Sequence, residues 1–176
     1  AVYSNHDEFL GLGHYQIGSI AVRLFSFTEV EPDIHFWKEK LQQAYRLRES
    51  LGLTDNEKTN VYRLVHAEGD GMPGVIIDFY NGTAVMQFHS IGMYQIRMQL
   101  AQILKEIYGD KLKAVYDKSE KTIPFKSKIE AKDSYLLGHS EATEVLEYGN
   151  RFKVDWERGQ KTGFFVDQRE NRRLVE

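Results

Sequence analysis

Arg63, His66, Glu68, Asp70 and Asp78 bring five titratable side chains into one short stretch. A histidine between carboxylates can pass a proton to or from a reacting group, so this stretch has the composition of a hydrolytic acid/base site centred on His66, Glu68 and Asp70. No serine or cysteine nucleophile motif accompanies it, no HExxH spacing is present, and the six His are scattered without ligand spacing, so no metal is expected. The same residues also read as turn chemistry, with Asp70 bonding nearby backbone and Arg63 pairing with Glu68. Gly69-Asp70-Gly71-Met72-Pro73-Gly74 satisfies GxGxxG. A dinucleotide loop must open a helix, whereas this one leads into the apolar run Val75 to Tyr80, so it reads as a turn between strands.

The second candidate is a basic stretch. Residues 111 to 132 hold seven Lys, among them Lys118, Lys121, Lys126 and Lys128, against Asp117, Glu120 and Glu130. With Tyr116 and Phe125 interleaved, it can follow a phosphate backbone and stack a base, and a solvated loop accounts for it equally well. The following stretch, 133 to 149, carries four acids and no Lys or Arg. Only one face could therefore bind RNA, and Arg63 and His66 are the further candidates on it.

These groups belong to a chain of 176 residues with 41% hydrophobic and 28% charged residues and a net charge of −3. That is a globular composition, with no apolar run long enough to span a membrane, no signal peptide and the cytoplasm as the expected compartment. The absence of Cys removes disulfides, thiolate metal sites and thiol nucleophiles together. A negative net charge offers no overall attraction to nucleic acid, so any such binding must be local.

The elements that would position these residues follow from periodicity. Val2 to Tyr3, Phe9 to Tyr15 and Ile20 to Phe27 read as three strands of a small β unit, part of a barrel. Asp33 caps a helix whose Ile34, Trp37, Leu41, Ala44, Leu47 and Leu51 share one face, with Gly52 as its stop. It is expected to link two bodies, with Lys38, Lys40, Arg46 and Arg48 on its solvated face. Strands follow at 61–65, 75–80 and 84–89, with Asn81-Gly82 as a hairpin turn. One helix from Ser90 to Gly109 should cover the sheet. After it come a strand at 112–116, a hairpin of 135–137 with 143–148, and a last strand at 152–156. In Gly159 to Glu176, Asp167 is expected to cap a helix with Glu170 in a capping box. Strands, one helix, then more strands give an α+β fold: a mixed or antiparallel central sheet with one helix packed on it.

Three stretches together resemble one family. Phe9-Leu10-Gly11-Leu12-Gly13-His14-Tyr15 with Ile20-Ala21-Val22-Arg23 is similar to the later strands of a PUA domain. Arg63 to Asp78 is similar to a central domain, and Gly159-Gln160-Lys161-Thr162-Gly163-Phe164-Phe165-Val166-Asp167-Gln168-Arg169 to the entry of a methyltransferase domain. The family is the bacterial SAM-dependent 23S rRNA cytosine-5 methyltransferases. The resemblance implies a partial, PUA-like β-barrel remnant at 1–28, a linker helix at 29–55, a central α+β domain at 56–157 and the start of a Rossmann-like methyltransferase domain at 158–176. It places Lys161, Thr162, Gly163, Phe164, Asp167, Gln168 and Arg169 beside the SAM pocket, and 23S rRNA as the partner. In the family a Cys adds to C6 of the cytosine to activate C5. The resemblance therefore implies a fragment, cut at both ends, that holds RNA and is itself inactive. The alternative is a free-standing RNA-binding module with no enzymatic parent.

Overall fold

Asp33 does start the first long helix: its carboxylate accepts the Phe36 amide at 2.9 Å, and α1 runs Ile34–Ser50 before Gly52 turns the chain at positive φ. The computed structural model describes residues 1–124, 129–141 and 143–175. Among them the chain forms three sheets and four α-helices. A three-stranded antiparallel sheet comes first, with β1 at Val2–Tyr3, β2 at Phe9–Tyr15 and β3 at Val22–Ser26. The main sheet has the order β4-β5-β6-β7-β8, with β4 Val61–His66, β5 Val75–Tyr80, β6 Thr83–Phe88, β7 Ala114–Asp117 and β8 Ser134–Gly138. Only β6 and β7 run parallel. Their connection carries α2 at Ile91–Gln95 and α3 at Arg97–Tyr108, as a parallel crossover requires. Asn81 and Gly82 both sit at positive φ between β5 and β6, the two-residue turn that this dipeptide favours.

Three expectations need correcting. Residues 135–137 do not form a hairpin with 143–148. β8 joins the main sheet beside β7, and the hairpin is β9 Thr143–Glu147 with β10 Asn150–Val154, turning at Tyr148 and Gly149, both at positive φ. The helix after Ser90 is broken at Ile96, and the Ser90 hydroxyl does not cap it; among the described residues that hydroxyl is buried without a partner. More than one helix covers the sheet. Trp37, Leu41 and Ala44 of α1 share a core with Leu100, Ile103 and Leu104 of α3 and with Leu64, Ile77 and Met86 of the sheet. The α1 helix is thus part of the core layer.

The small sheet docks on the same layer. His14 packs against Phe25 and Trp37, and it lies so close to Gly92 that a Cβ there would sit 2.2 Å from the imidazole. No larger residue fits at position 92.

The opposite face of the main sheet is covered differently. Val61, Tyr80, Val85 and Tyr116 bury against Val145 and Val154 of the β9–β10 hairpin and against Trp156 and Val166 beyond it. The sheet therefore lies between a helical layer and a cover made from the last quarter of the chain, and the inner strands β5, β6 and β7 bury both sets of alternate residues. This is why β6 has no exposed position.

Arg48, expected on a solvated face, is buried. Its guanidinium makes a bidentate pair with Asp70 (2.5 and 2.8 Å) and donates through Nε to the Arg63 carbonyl at 2.9 Å. Asp70 also accepts the His66 amide at 2.6 Å, so one ion pair pins α1 to the turn that follows β4. Removing one partner strands a buried charge. Asp70→Ala should lower stability by about 3 to 5 kcal/mol. Arg48→Met in the same background should recover a large part of that in urea denaturation; additive losses would show that the two charges do not interact.

Candidate functional site: a basic cleft at the sheet end

Across the covered face, residues stand in rows fixed by strand register. Arg63, Asp78, Val85 and Tyr116 form one row, and His66, Ile76 and Gln87 the next. Arg63 and His66 are three apart yet share a face, because the β4 register shifts between Arg63 and Val65. The bulge brings Arg63 Nη1 within 3.4 Å of His66 Nδ1.

Asp78 is the anchor of the first row. It is wholly buried, and it takes a bidentate pair from Arg63 (2.9 and 3.0 Å) plus the Thr162 hydroxyl at 2.6 Å. A hydroxyl has one proton, and Thr162 spends it on the carboxylate. Its oxygen must then accept from Tyr80 at 2.7 Å. Burial, and next the Asp78 charge, push the Tyr80 phenol well above its ordinary range, so it stays protonated as this donor. One buried carboxylate thereby fixes the loop at 159–163 over the sheet. Gly163, at φ +121, lets that loop press on Trp156, where a Cβ would lie 2.8 Å from the Trp156 Cα.

Where this loop meets the uncovered end of the sheet there is a cleft of about 460 Å³, lined by Gln87, His89, Lys118, Lys121, Arg158 and Lys161 together with Asp133 and Glu157. Both acids are engaged: Asp133 accepts the Glu120 amide at 2.8 Å, and Glu157 lies 3.0 Å from the Tyr135 hydroxyl. The Lys118 ammonium donates to the Gly159 carbonyl at 2.5 Å, and burial lowers its pKa. Burial likewise lowers His89, with the Arg23 charge adding to it, which keeps the imidazole neutral and able to accept as well as donate. Asp133 and Glu157 keep their charge against neutral donors, so Lys118, Lys121, Arg158 and Lys161 outnumber them four to two, and the cleft has a positive balance that suits a phosphate-bearing ligand.

Of the sequence-predicted RNA candidates, Lys118 and Lys121 line this cleft, and Arg63 and His66 stand on the same face of the sheet. Lys126 and Lys128 lie outside the described residues. The acid/base grouping is not assembled: Asp70 is held by Arg48, Glu68 pairs with Arg23 at 3.0 Å, and Arg63 pairs with Asp78 rather than with Glu68. Among the residues expected beside SAM, Thr162 faces inward to Asp78, Phe164 packs on Phe152 and the Arg172 guanidinium, and Arg169 binds Glu147 at 3.3 Å. Lys161 and Asp167 face each other at 3.7 Å and are half exposed, and Gln168 is exposed and accepts from Asn171 at 2.6 Å. Asp167 does not cap a helix. A 3-10 turn at Val166–Gln168 precedes a five-residue α4 at Arg169–Arg173, and no capping-box bond forms. Sequence reasoning missed His89, Arg158 and Gln87, because only the fold brings 87–89 and 157–161 beside the lysines.

Over 181 residues and 99% of its length, the chain is 35% identical to a ribosomal RNA large subunit methyltransferase I from Pseudoalteromonas atlantica, and over 97% of its length it is 32% identical to one from Escherichia coli. It spans only 44% and 43% of those relatives, less than half of each. The solved structure of a protein from Streptococcus mutans assigned to the SAM-dependent methyltransferases superposes on 98% of the chain with a TM-score of 0.82 at 26% identity, and the chain covers 44% of it. A methyltransferase solved as a complex with SAH gives the same TM-score and identity. No family model matches. Fold and sequence together make this chain an α+β relative of the methyltransferases. More narrowly, it is related to the rRNA large-subunit methyltransferases. Among the described residues, no helix is long and apolar enough to cross a membrane.

Lys118 reaches the cleft because its neighbour Asp117 occupies the opposite face. There Asp117 is buried, bonded by the Ser119 hydroxyl, with Arg97 Nε 3.6 Å away. Burial pushes its pKa up to about 6, against the Ser119 bond and the Arg97 charge, which lower it. The folded chain then holds a proton more tightly than the unfolded one between roughly pH 4 and 6. Stability from this group is therefore greatest below that window and falls as pH rises through it, by at most about 3 kcal/mol. Urea midpoints at pH 5 and pH 7 should differ less in Asp117→Asn than in the wild type. An unchanged pH difference would contradict the assignment.

Proposed function

We propose that this chain is the substrate-positioning part of a SAM-dependent rRNA methyltransferase acting at C5 of a cytosine in 23S rRNA, in a cytoplasmic protein. The observation that carries the reading is the cationic cleft: it lies at the seam between the main sheet and the 157–161 loop, in a chain whose relatives are named for methylating large-subunit rRNA. In this reading 1–28 is part of a PUA-like RNA-binding unit, 29–55 joins it to the centre, 56–157 forms the central domain and 158–176 opens the methyltransferase domain.

The division of labour follows from the residues present. Attack at C6 of cytosine needs a nucleophile of thiolate strength, and the chain has no Cys. The transfer step is therefore assigned to residues outside these 176, and the chain by itself is read as inactive. S-adenosylmethionine supplies the methyl group when bound. Of the seven residues assigned to its pocket, the exposed Lys161, Asp167 and Gln168 fit one edge. Thr162, Gly163, Phe164 and Arg169 support that edge from beneath through Asp78, Trp156, Phe152 and Glu147. On the other side of the loop, Lys118, Lys121, Arg158 and His89 hold RNA phosphates, and Arg63 and His66 extend the track along β4. Lys126 and Lys128 are further candidates for phosphate contact.

Phosphate contacts release counterions, so each lost contact removes about 0.7 from the slope of log affinity against log salt for single-stranded RNA. Lys118→Ala/Lys121→Ala should weaken binding of a single-stranded rRNA segment and flatten that slope by about 1.4. Equal affinity and slope in the two proteins would remove the cleft from the account.

A further inference from the structure

At the opposite end of the main sheet, on the helical side, lies a second cavity of about 290 Å³. Its walls are Tyr45 of α1, Tyr62 and Phe79 of the sheet and Tyr108 at the end of α3. Asn60, Gly82 and the exposed Lys113 are also part of its lining. The basic cleft does not extend to it, because a six-residue strand separates the two sites by roughly 20 Å on opposite faces.

Its inner wall has a surplus hydrogen-bond donor. The Tyr62 and Tyr108 hydroxyls are 3.0 Å apart, and the residues are 2% and 6% exposed. Two phenols bring two protons, and their mutual bond uses one. The second has no acceptor among the described residues. Burial raises both phenols well above their ordinary range, so neither sheds its proton to resolve the mismatch. The other polar groups divide unevenly. Asn56 spends its carbonyl on the Lys58 and Thr59 amides, and Asn60 spends its carbonyl on the Leu146 amide, leaving the Asn60 NH₂ as a donor. Asp55 is paired with Lys111, while Lys113 has no carboxylate within ion-pair distance among the described residues. The cavity thus combines a cluster of mutually stacked rings, spare donors on the tyrosine pair and on Asn60, one spare acceptor on Asn81, whose NH₂ is spent on the Glu144 carbonyl, and an exposed cation at Lys113.

We propose that this cavity binds a nucleotide, its base lying against the packed aromatic cluster with one edge accepting from the tyrosine pair, and its phosphate on Lys113. A flat heteroaromatic ring bearing carbonyl or ring-nitrogen acceptors matches the rings and the donors, and an anionic substituent matches Lys113. A free mononucleotide and a single nucleotide of an RNA strand share that chemistry.

The test is a titration of the isotope-labelled chain with adenosine and cytidine 5′-monophosphates, the two nucleosides and a short single-stranded RNA, followed by amide shifts. Shifts at Asn60, Gly82 and Lys113 with the monophosphates are expected, at millimolar or tighter affinity. If only the mononucleotides move these amides the source is a free nucleotide; if the oligonucleotide moves them too, it is an RNA strand. Either single variant, Tyr62→Phe or Tyr108→Phe, leaves one hydroxyl free to donate and should cost little, whereas the double variant should lose about tenfold or more. Lys113→Ala, at an exposed site, should weaken the monophosphates severalfold and leave the nucleosides unchanged. No shift with any probe, shifts confined to Lys118 and Lys121, or a Lys113→Ala variant that binds the monophosphates as the wild type does would each overturn the proposal. Shifts confined to Lys118 and Lys121 would support the RNA cleft while removing this cavity, and the Tyr62, Tyr108 and Lys113 variants leave the cleft residues untouched, so the two readings fail separately.

Discussion

A carboxylate removed wholly from water must be matched by its own set of donors, and Asp78 is matched from two distant parts of the sequence. Arg63 reaches it across the neighbouring strand and Thr162 from 84 residues further along. Leaving any buried ion unpaired costs several kcal/mol, so Asp78 and its partners are kept together or the arrangement fails. The geometry at the seam follows from this. Thr162 must sit over β5, Tyr80 must donate to it, and the loop at 159–163 must cross the sheet where Lys118 can hold the Gly159 carbonyl.

Other buried ion clusters repeat the device. Arg48 with Asp70 ties α1 to the turn after β4, and Glu147 gathers Arg169 and Arg172, binding α4 to the hairpin. Each joins segments that share few apolar contacts. The hydrophobic effect packs the two faces of the sheet without direction, whereas a bidentate guanidinium fixes an orientation. These pairs set the orientation of the segments that they join, and the apolar layers supply most of the burial.

Local patterns carried much of the fold. The α1 helix with its Asp33 cap, the Asn81-Gly82 turn and the β5 and β6 strands are stated by neighbouring residues alone, and each is present; of the α1 stripe only Trp37, Leu41 and Ala44 are buried, while Ile34, Leu47 and Leu51 are exposed. What was not legible depends on partners far away in sequence. Periodicity cannot tell that Arg48 turns inward, because its partner is twenty-two residues on and the turn that presents Asp70 has no helical register. Residues 135–137 read as half of a hairpin since strand pairing, unlike helix formation, is decided by whichever edge is free, and β7 offered one. Tyr148-Gly149 was the available signal for the true hairpin. The same limit applied to the site: the lysines were visible as a run, while His89 and Arg158 join them only through the sheet and the Asp78 anchor.

The account stands on the loop at 159–168 being as firmly held as the sheet it crosses, and native-state hydrogen exchange measures that directly. The Gly159 and Gly163 amides, bonded to the Asp155 and Gln160 carbonyls, should exchange with protection within about 1 kcal/mol of the β5 and β6 amides, opening only when the whole unit unfolds. Exchange of those two amides at the rate of a free chain, with the sheet still protected, would contradict it, since Asp78 would then be no anchor and the cleft would have no fixed wall.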